Sequence, residues 1–150
     1  MTLHYFDYAA SAPRRDEVTE AMAPWMHGVV GNPSGQHRAA RDAKRALEDA
    51  REEVAALTGV TPAGVIFTAG GTEANHIILA GALARFRRLH GPEANMVISS
   101  TEHSSVLKTA HHLASLFDEV TVRILKSTPY GHPELSEIER VVDTRTAVMS

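Results

Sequence analysis

Val65-Ile66-Phe67-Thr68-Ala69-Gly70-Gly71-Thr72-Glu73-Ala74-Asn75 carries the strongest local signal for secondary structure in the chain. The pattern predicts a short apolar strand, a two-glycine turn and the first turn of a helix. A helix start leaves backbone N–H groups without partners, and these donors, together with the helix dipole, favour an anion such as phosphate. We therefore predict a phosphate site at Gly71 and Thr72, with Thr72 either capping the helix or giving its hydroxyl to the anion. The carboxylate of Glu73 would repel a phosphate, so we expect it to point away.

The glycine turn differs from the common nucleotide-binding motifs. It lacks the Gly-x-x-x-x-Gly-Lys pattern of a P-loop and the Gly-x-Gly-x-x-Gly spacing of a dinucleotide fold. The motif therefore indicates a site for a single phosphate rather than a triphosphate. Tight turns between a strand and a helix also occur as plain connections, and the motif alone leaves that alternative open.

Composition excludes several classes of protein. The chain has 150 residues, 43% of them hydrophobic and 22% charged, which is typical of a globular domain with a core. Its net charge of −3 gives no indication of a nucleic-acid or anionic-membrane partner. The absence of cysteine excludes disulfides, thiolate zinc sites and a cysteine nucleophile within the chain. The nine histidines show no metal-ligand spacing, so we predict no metal site, and we expect a cytoplasmic enzyme or enzyme part.

The order of elements predicts the fold class. We assign residues 1–12 to an extended arm, with a short strand at Leu3–Phe6, and residues 13–150 to an α/β domain. After residue 60, predicted strands at 65–68, 95–99, 119–125 and 145–149 alternate with helices, which predicts a mostly parallel sheet flanked by helices. Before it, a helix opens near Asp16, and a strongly amphipathic helix over 36–57 follows Ser34 as a candidate N-cap.

A second candidate residue follows the next predicted strand. Ligands of open α/β sheets bind beyond the carboxyl ends of the strands. His103 lies in the turn after strand 95–99, so we expect it on the same rim as Gly71 and Thr72. An imidazole there suits proton transfer and can stack on an aromatic cofactor. The alternative is a histidine that only caps the following helix or lies on the surface.

Four segments in order resemble the motifs of a known family. They are Phe6–Pro13, Gly31–His37, Phe67–Asn75 and Thr101–Val106. Together they resemble the successive motifs of cysteine desulfurases, which belong to the class V aminotransferase group of pyridoxal 5′-phosphate (PLP) enzymes. The resemblance covers essentially the whole chain, although Ser11–Ala12 stand where the family usually has threonines.

The resemblance implies a fold, a cofactor and a reaction. The fold is the N-terminal portion of the large domain of PLP-dependent transferases, in a homodimer. The Gly71 backbone and Thr72 would hold the PLP phosphate, and His103 would stack on the pyridine ring and assist proton transfer. The reaction would convert L-cysteine to L-alanine and leave persulfide sulfur on the enzyme, for delivery to an acceptor protein in iron–sulfur cluster assembly or another pathway.

The resemblance also implies that functional parts of the family are missing. Its Schiff-base lysine, the aspartate at the pyridine nitrogen and the persulfide cysteine are expected beyond residue 150, and Lys44, Lys108 and Lys126 match none of those motif positions. We expect about the first third of the enzyme, inactive in desulfuration by itself. A selenocysteine lyase segment, another class V aminotransferase segment, and a non-catalytic phosphate-binding or dimerisation module are the alternatives.

Overall fold

The computed structural model describes residues 4–28 and 31–150. The chain divides into two compact units, Met1–Ile66 and Phe67–Ser150. Among the described residues, no helix is long and apolar enough to span a membrane. The boundary predicted after residue 12 stays a prediction. Residues 4–6 form no strand, and Leu3 lies outside the described residues.

The first unit is helical. It contains α1 (Asp16–His27), α2 (Arg38–Thr58) and a 3₁₀ turn at Pro62–Gly64. Helix α2 ends where predicted, because Gly59 adopts the left-handed φ of 72° that a glycine C-cap favours. Its start corrects the prediction of Ser34 as N-cap. The imidazole Nδ1 of His37 accepts a hydrogen bond from the Ala40 N–H at 3.3 Å and occupies the cap position instead.

The second unit is α/β, as predicted. Its elements are, in chain order, α3 (Gly71–His90), β1 (Ala94–Ser99), α4 (Ser104–Ser115), β2 (Val120–Leu125), α5 (Leu135–Val141) and β3 (Thr146–Met149). All strand pairs are parallel, in the order β2-β1-β3, so each crossover carries a helix. The prediction of a parallel sheet flanked by helices is confirmed.

The predicted strand at residues 65–68 is wrong. These residues carry no strand pairing, and the described sheet has three strands rather than four. The Val65 carbonyl accepts a hydrogen bond from the Arg51 guanidinium. Ile66 is 67% exposed, so the apolar run is not buried between neighbours as a central strand would be. An apolar run becomes a strand only where another strand offers it hydrogen bonds.

The core of the second unit lies on both faces of β1. Met96 and Ile98, both fully buried, face a cluster formed with α3, α4 and β2. Val97 points to the opposite face, where it packs with Leu125 and Val141. This alternation follows from the two-residue period of a strand. Helices α3 and α4 therefore share one face of the sheet, and that packing places their N-termini.

Hydrogen bonds and an ion pair connect β3 to β1 at the amino end of the sheet. The buried Asn95 donates a hydrogen bond to Asp143 Oδ1 and accepts one from Thr146 Oγ1, both at 2.9 Å. Arg123 pairs with Asp143 Oδ2 at 2.9 Å. The hydrogen bond from Asn95, with those from the Arg145 N–H and Arg123, lowers the pKa of Asp143 from its ordinary value of 3.8 to about 2.

Candidate functional site

The N-terminus of α3 has unused hydrogen-bond donors. The first helical bond runs from the Ala74 N–H to the Gly70 carbonyl at 3.1 Å. Within the described parts of the chain, the N–H groups of Gly71, Thr72 and Glu73 have no hydrogen-bond acceptor. Gly70 occupies the N-cap position and supplies no side-chain cap, so the alternative in which Thr72 caps the helix is wrong. The Thr72 hydroxyl is therefore available to a ligand.

A cavity of about 510 Å³ opens at this helix end. Its walls come from the glycine turn, the first turns of α3 and one residue of α4: Ala69, Gly70, Gly71, Thr72, Glu73, His76 and Thr109. A Cβ added at Gly70 or at Gly71 would meet no atom within 4 Å. The backbone of the turn is therefore open to a ligand, which is the arrangement that phosphate binding at a helix start requires.

The position of Glu73 corrects the prediction that its carboxylate points away. Glu73 Oε2 accepts a hydrogen bond from the Ala69 N–H at 2.6 Å, so the side chain folds back over the turn and lines the cavity. A carboxylate in the first turn of a helix interacts favourably with the free N–H groups and the dipole. Glu73 stays exposed to solvent, and its hydrogen bond to the Ala69 N–H rather than burial directs the carboxylate toward the turn.

His103 occupies the N-cap position of α4. The imidazole Nδ1 of His103 accepts a hydrogen bond from the Ser105 backbone N–H at 3.1 Å, and the backbone N–H of His103 donates to Glu102 Oε2 at 3.0 Å. The structure therefore confirms the alternative in which His103 caps the following helix. It is compatible with a role in catalysis, because the cap uses Nδ1 and leaves Nε2 without a partner among the described residues.

A hydrogen-bond chain brings the two helix starts together. Asn75 Nδ2 donates to Ser105 Oγ at 2.8 Å, and Ser105 Oγ lies 2.8 Å from His103 Nδ1. Asn75 is three residues beyond Thr72, so the proposed phosphate site and the histidine lie on adjacent helix ends. Sequence reasoning did not identify Ser105 or the role of Asn75, because a contact between residues 30 positions apart leaves no periodic signal.

A second cleft, of about 340 Å³, lies at the opposite, amino end of the sheet. Its charged groups are already paired: Arg145 with Glu93 at 3.2 Å, and Arg123 with Asp143 at 2.9 Å. Ligands of parallel sheets bind at the carboxyl ends of the strands, so this cleft is a structural feature rather than the candidate site. No group of histidine and acidic residues in ranges 4–28 and 31–150 could hold a metal ion.

Comparison with known proteins identifies the family. The family model described as "Aminotransferase class-V" matches residues 4–150. A cysteine desulfurase, IscS, of Dictyoglomus turgidum is 39% identical over 117 residues, which cover 78% of this chain and 29% of that protein. Among solved structures, a NifS-like protein is 31% identical with a TM-score of 0.81, covering 95% of this chain and 38% of the other. A structure of SspA in complex with cysteine is 35% identical with a TM-score of 0.78, covering 95% and 40%.

These matches share two properties. Each covers most of this chain, and each covers well under half of the other protein, so the chain spans roughly a third of the length of its relatives. The match extends over both units of the structure and includes the α3 start and His103. The chain therefore belongs to the class V aminotransferase family, and its homologues include cysteine desulfurases.

Proposed function

We propose that this chain is the segment of a cysteine desulfurase that binds the PLP phosphate. One observation carries the proposal: an open cavity at the start of α3, where Gly71, Thr72 and Glu73 offer N–H groups without acceptors, next to the histidine at the start of α4. Three N–H donors, a hydroxyl and the positive end of a 20-residue helix dipole match a phosphate monoester in charge and in hydrogen bonding.

The residues of the turn fit the cofactor's phosphate with one rearrangement. Gly71 and Thr72 would donate backbone hydrogen bonds, and the Thr72 hydroxyl would add a further donor. The Glu73 carboxylate, now bonded to the Ala69 N–H at 2.6 Å, would turn out of the cavity as the phosphate replaces it at the helix end. Phosphate binding would therefore release the Glu73 carboxylate from the Ala69 N–H and engage the donors of Gly71 and Thr72 beside it.

His103 would hold a proton at the reacting end of the ligand. Its Nδ1 is used by the helix cap, and its Nε2 is free to donate to or accept from a bound group. PLP supplies an electron sink for the carbanion chemistry of amino acids when it is bound. His103 would orient the cofactor ring by stacking and would transfer protons through Nε2.

The proposed substrate is L-cysteine, in keeping with cysteine in the SspA structure and with the named desulfurase relative. The reaction breaks the Cβ–S bond, yields L-alanine and transfers sulfur to a thiol as a persulfide. This chain contains no cysteine, so the accepting thiol comes from outside these 150 residues. A homodimer, a cytoplasmic location and a sulfur-acceptor protein, as in iron–sulfur cluster assembly, are part of the same proposal.

Replacing Thr72 with alanine tests the phosphate site. Loss of a hydrogen bond to a charged group costs about 1.5–3 kcal/mol, which corresponds to a roughly ten- to hundredfold increase in the Kd for PLP. We would titrate PLP into the complete gene product carrying Thr72→Ala, with Thr121→Ala, an exposed threonine of β2, as the matched control. A Kd within twofold of the control would contradict the site. Comparing the turnover of L-cysteine with the turnover of L-selenocysteine distinguishes a cysteine desulfurase from a selenocysteine lyase.

A further inference from the structure

We propose that Ser105 and Asn75 are positioning residues that determine which nitrogen of His103 carries the proton. The inference rests on the proposed role of His103 and deepens it, because it assigns a task to two residues that do not touch the reacting groups. It is carried by three linked hydrogen bonds: two from Ser105 end on His103 Nδ1, and one from Asn75, on α3, ends on the Ser105 hydroxyl.

The three hydrogen bonds have short donor–acceptor distances. Asn75 Nδ2, on α3, donates to Ser105 Oγ at 2.8 Å. Ser105 Oγ lies 2.8 Å from His103 Nδ1, and the Ser105 backbone N–H donates to the same Nδ1 at 3.1 Å. Ser105 is only 8% exposed, so water competes little for these groups, whereas the ring of His103 lies at the surface.

The polarity of the chain follows from the donors. A side-chain amide nitrogen can only donate, so Ser105 Oγ accepts from Asn75 and directs its own proton to His103 Nδ1. The Ser105 backbone N–H can also only donate. Two donors on Nδ1 require a lone pair there, so the neutral imidazole carries its proton on Nε2. The Ser105 backbone N–H favours this tautomer directly, and Asn75 favours it further by directing the Ser105 hydroxyl proton to Nδ1.

This arrangement leaves Nε2–H as the functional end of the ring. Within the described residues Nε2 has no partner, so its proton is available to a bound ligand. Two bonds at Nδ1 also restrict rotation of the ring about its own axis, which favours stacking in one orientation. In the other tautomer, Nε2 of His103 would present a lone pair to the ligand instead of a proton.

A purely structural link between α3 and α4 would use the same atoms, and Asn75→Asp separates the two roles. A carboxylate only accepts, so Ser105 would donate its hydroxyl proton to Asp at position 75, and its oxygen would then favour a proton on His103 Nδ1, in competition with the Ser105 backbone N–H. The link between the helices is preserved, whereas the polarity of the chain is reversed. Ser105→Ala removes the link and the side-chain donor together but keeps the backbone N–H donor to Nδ1, and alanine is well tolerated in a helix. Ser104→Ala, at the neighbouring exposed serine, is the matched control.

The test is ¹⁵N NMR of the full 150-residue chain labelled at its histidine rings, without PLP. The His103 signals are assigned by their loss in His103→Gln. We expect the wild type and Ser104→Ala to show Nε2–H, and Asn75→Asp to gain an Nδ1–H signal. Ser105→Ala keeps the backbone N–H donor to Nδ1, so its signals should move only part of the way toward the tautomer mixture of free histidine. Unchanged His103 signals in both Asn75→Asp and Ser105→Ala would overturn the proposal.

Turnover in the complete gene product provides the second readout. Loss of the Ser105 hydroxyl's hydrogen bond to His103 predicts a two- to tenfold lower kcat in Ser105→Ala, with the Kd for PLP within twofold and Ser104→Ala unchanged. Asn75→Asp withdraws the same proton from Nδ1 and should lower kcat at least as much. Altered NMR signals with normal turnover in these variants and in His103→Ala would confirm the positioning and reject the proposed role of His103. Weaker PLP binding with normal NMR signals would show a structural link only and would overturn the positioning role.

Discussion

Asn95→Ala perturbs the network that attaches β3 to β1. Asn95 is 2% exposed, and its amide makes two hydrogen bonds of 2.9 Å, one to the Asp143 carboxylate and one from the Thr146 hydroxyl. Strand β3 is joined to β1 through an irregular register, in which Asn95 pairs with Thr146 but Met96 pairs with Val148. The side-chain bonds of Asn95 therefore compensate for interrupted ladder pairing at this point.

The magnitude follows from the bonds that are lost. Asn95→Ala removes one hydrogen bond to a charged acceptor and one between neutral groups, and it leaves a small cavity at a buried position. These losses sum to a reduction of about 2–4 kcal/mol in the free energy of unfolding. The matched control is Thr121→Ala, because Thr121 is the β2 partner of Asn95 in register and is exposed. Its loss should cost no more than about 0.5 kcal/mol.

Urea unfolding followed by far-ultraviolet circular dichroism measures the difference, and hydrogen exchange of the β1 amides locates it. We expect Val97 and Ile98 to exchange faster in Asn95→Ala than in Thr121→Ala. If the two variants differ by less than about 0.5 kcal/mol, and the exchange rates of β1 agree, the network does not stabilise the sheet and the reasoning from buried hydrogen bonds is wrong.

Two further predictions concern protonation and catalysis. The hydrogen bond from Asn95 is the main cause of the lowered pKa of Asp143, about 2 against an ordinary 3.8, so the ionised carboxylate stabilises the fold above about pH 4. This stabilisation should be lost as the pH falls toward 2, and urea unfolding across this range should show the loss in the wild type and a smaller one in Asp143→Asn; equal pH dependence would contradict it. His103→Ala should lower kcat in the complete gene product by about a hundredfold or more, and change the Kd for PLP less than tenfold. His111→Ala, on the exposed face of α4, is its control, and full activity of His103→Ala would remove the residue from the mechanism.

The parts of the fold that were predictable depend on local signals. Helix α2 was predicted because its apolar residues recur at helical spacing, and its end was predicted because Gly59 can adopt a left-handed φ. The alternation of strands and helices predicted after residue 60 indicated a parallel sheet, and the structure confirms the strands from residue 94 onward. In each case the residues that decide the conformation are neighbours in sequence.

The errors concern residues whose partners are distant or compete. The run at 65–68 has strand composition, but pairing depends on another strand, and the Val65 carbonyl accepts instead from the Arg51 guanidinium. Ser34 was a good cap by residue type, yet the His37 imidazole reaches the Ala40 N–H. The orientation of Glu73 depended on a competition between solvent and the helix start, which composition does not resolve.

The candidate site was predictable to the level of residues but not of geometry. Gly71, Thr72 and His103 came from the glycine turn, the order of elements and the family resemblance, and their binding roles stay predictions. The structure adds the connection between them, from Asn75 to Ser105 to His103 Nδ1. That connection joins two helix starts 30 residues apart, and only the packing of α3 against α4 brings them within hydrogen-bonding distance.

The most direct measurement is a crystal structure of the complete gene product with PLP. We predict that the phosphate accepts hydrogen bonds from the Gly71 and Thr72 N–H groups and the Thr72 hydroxyl, that Glu73 has left the Ala69 N–H, and that the pyridine ring lies against His103. A phosphate bound elsewhere, with the start of α3 facing solvent and Glu73 still bonded to Ala69, would show that the start of α3 is not the phosphate site.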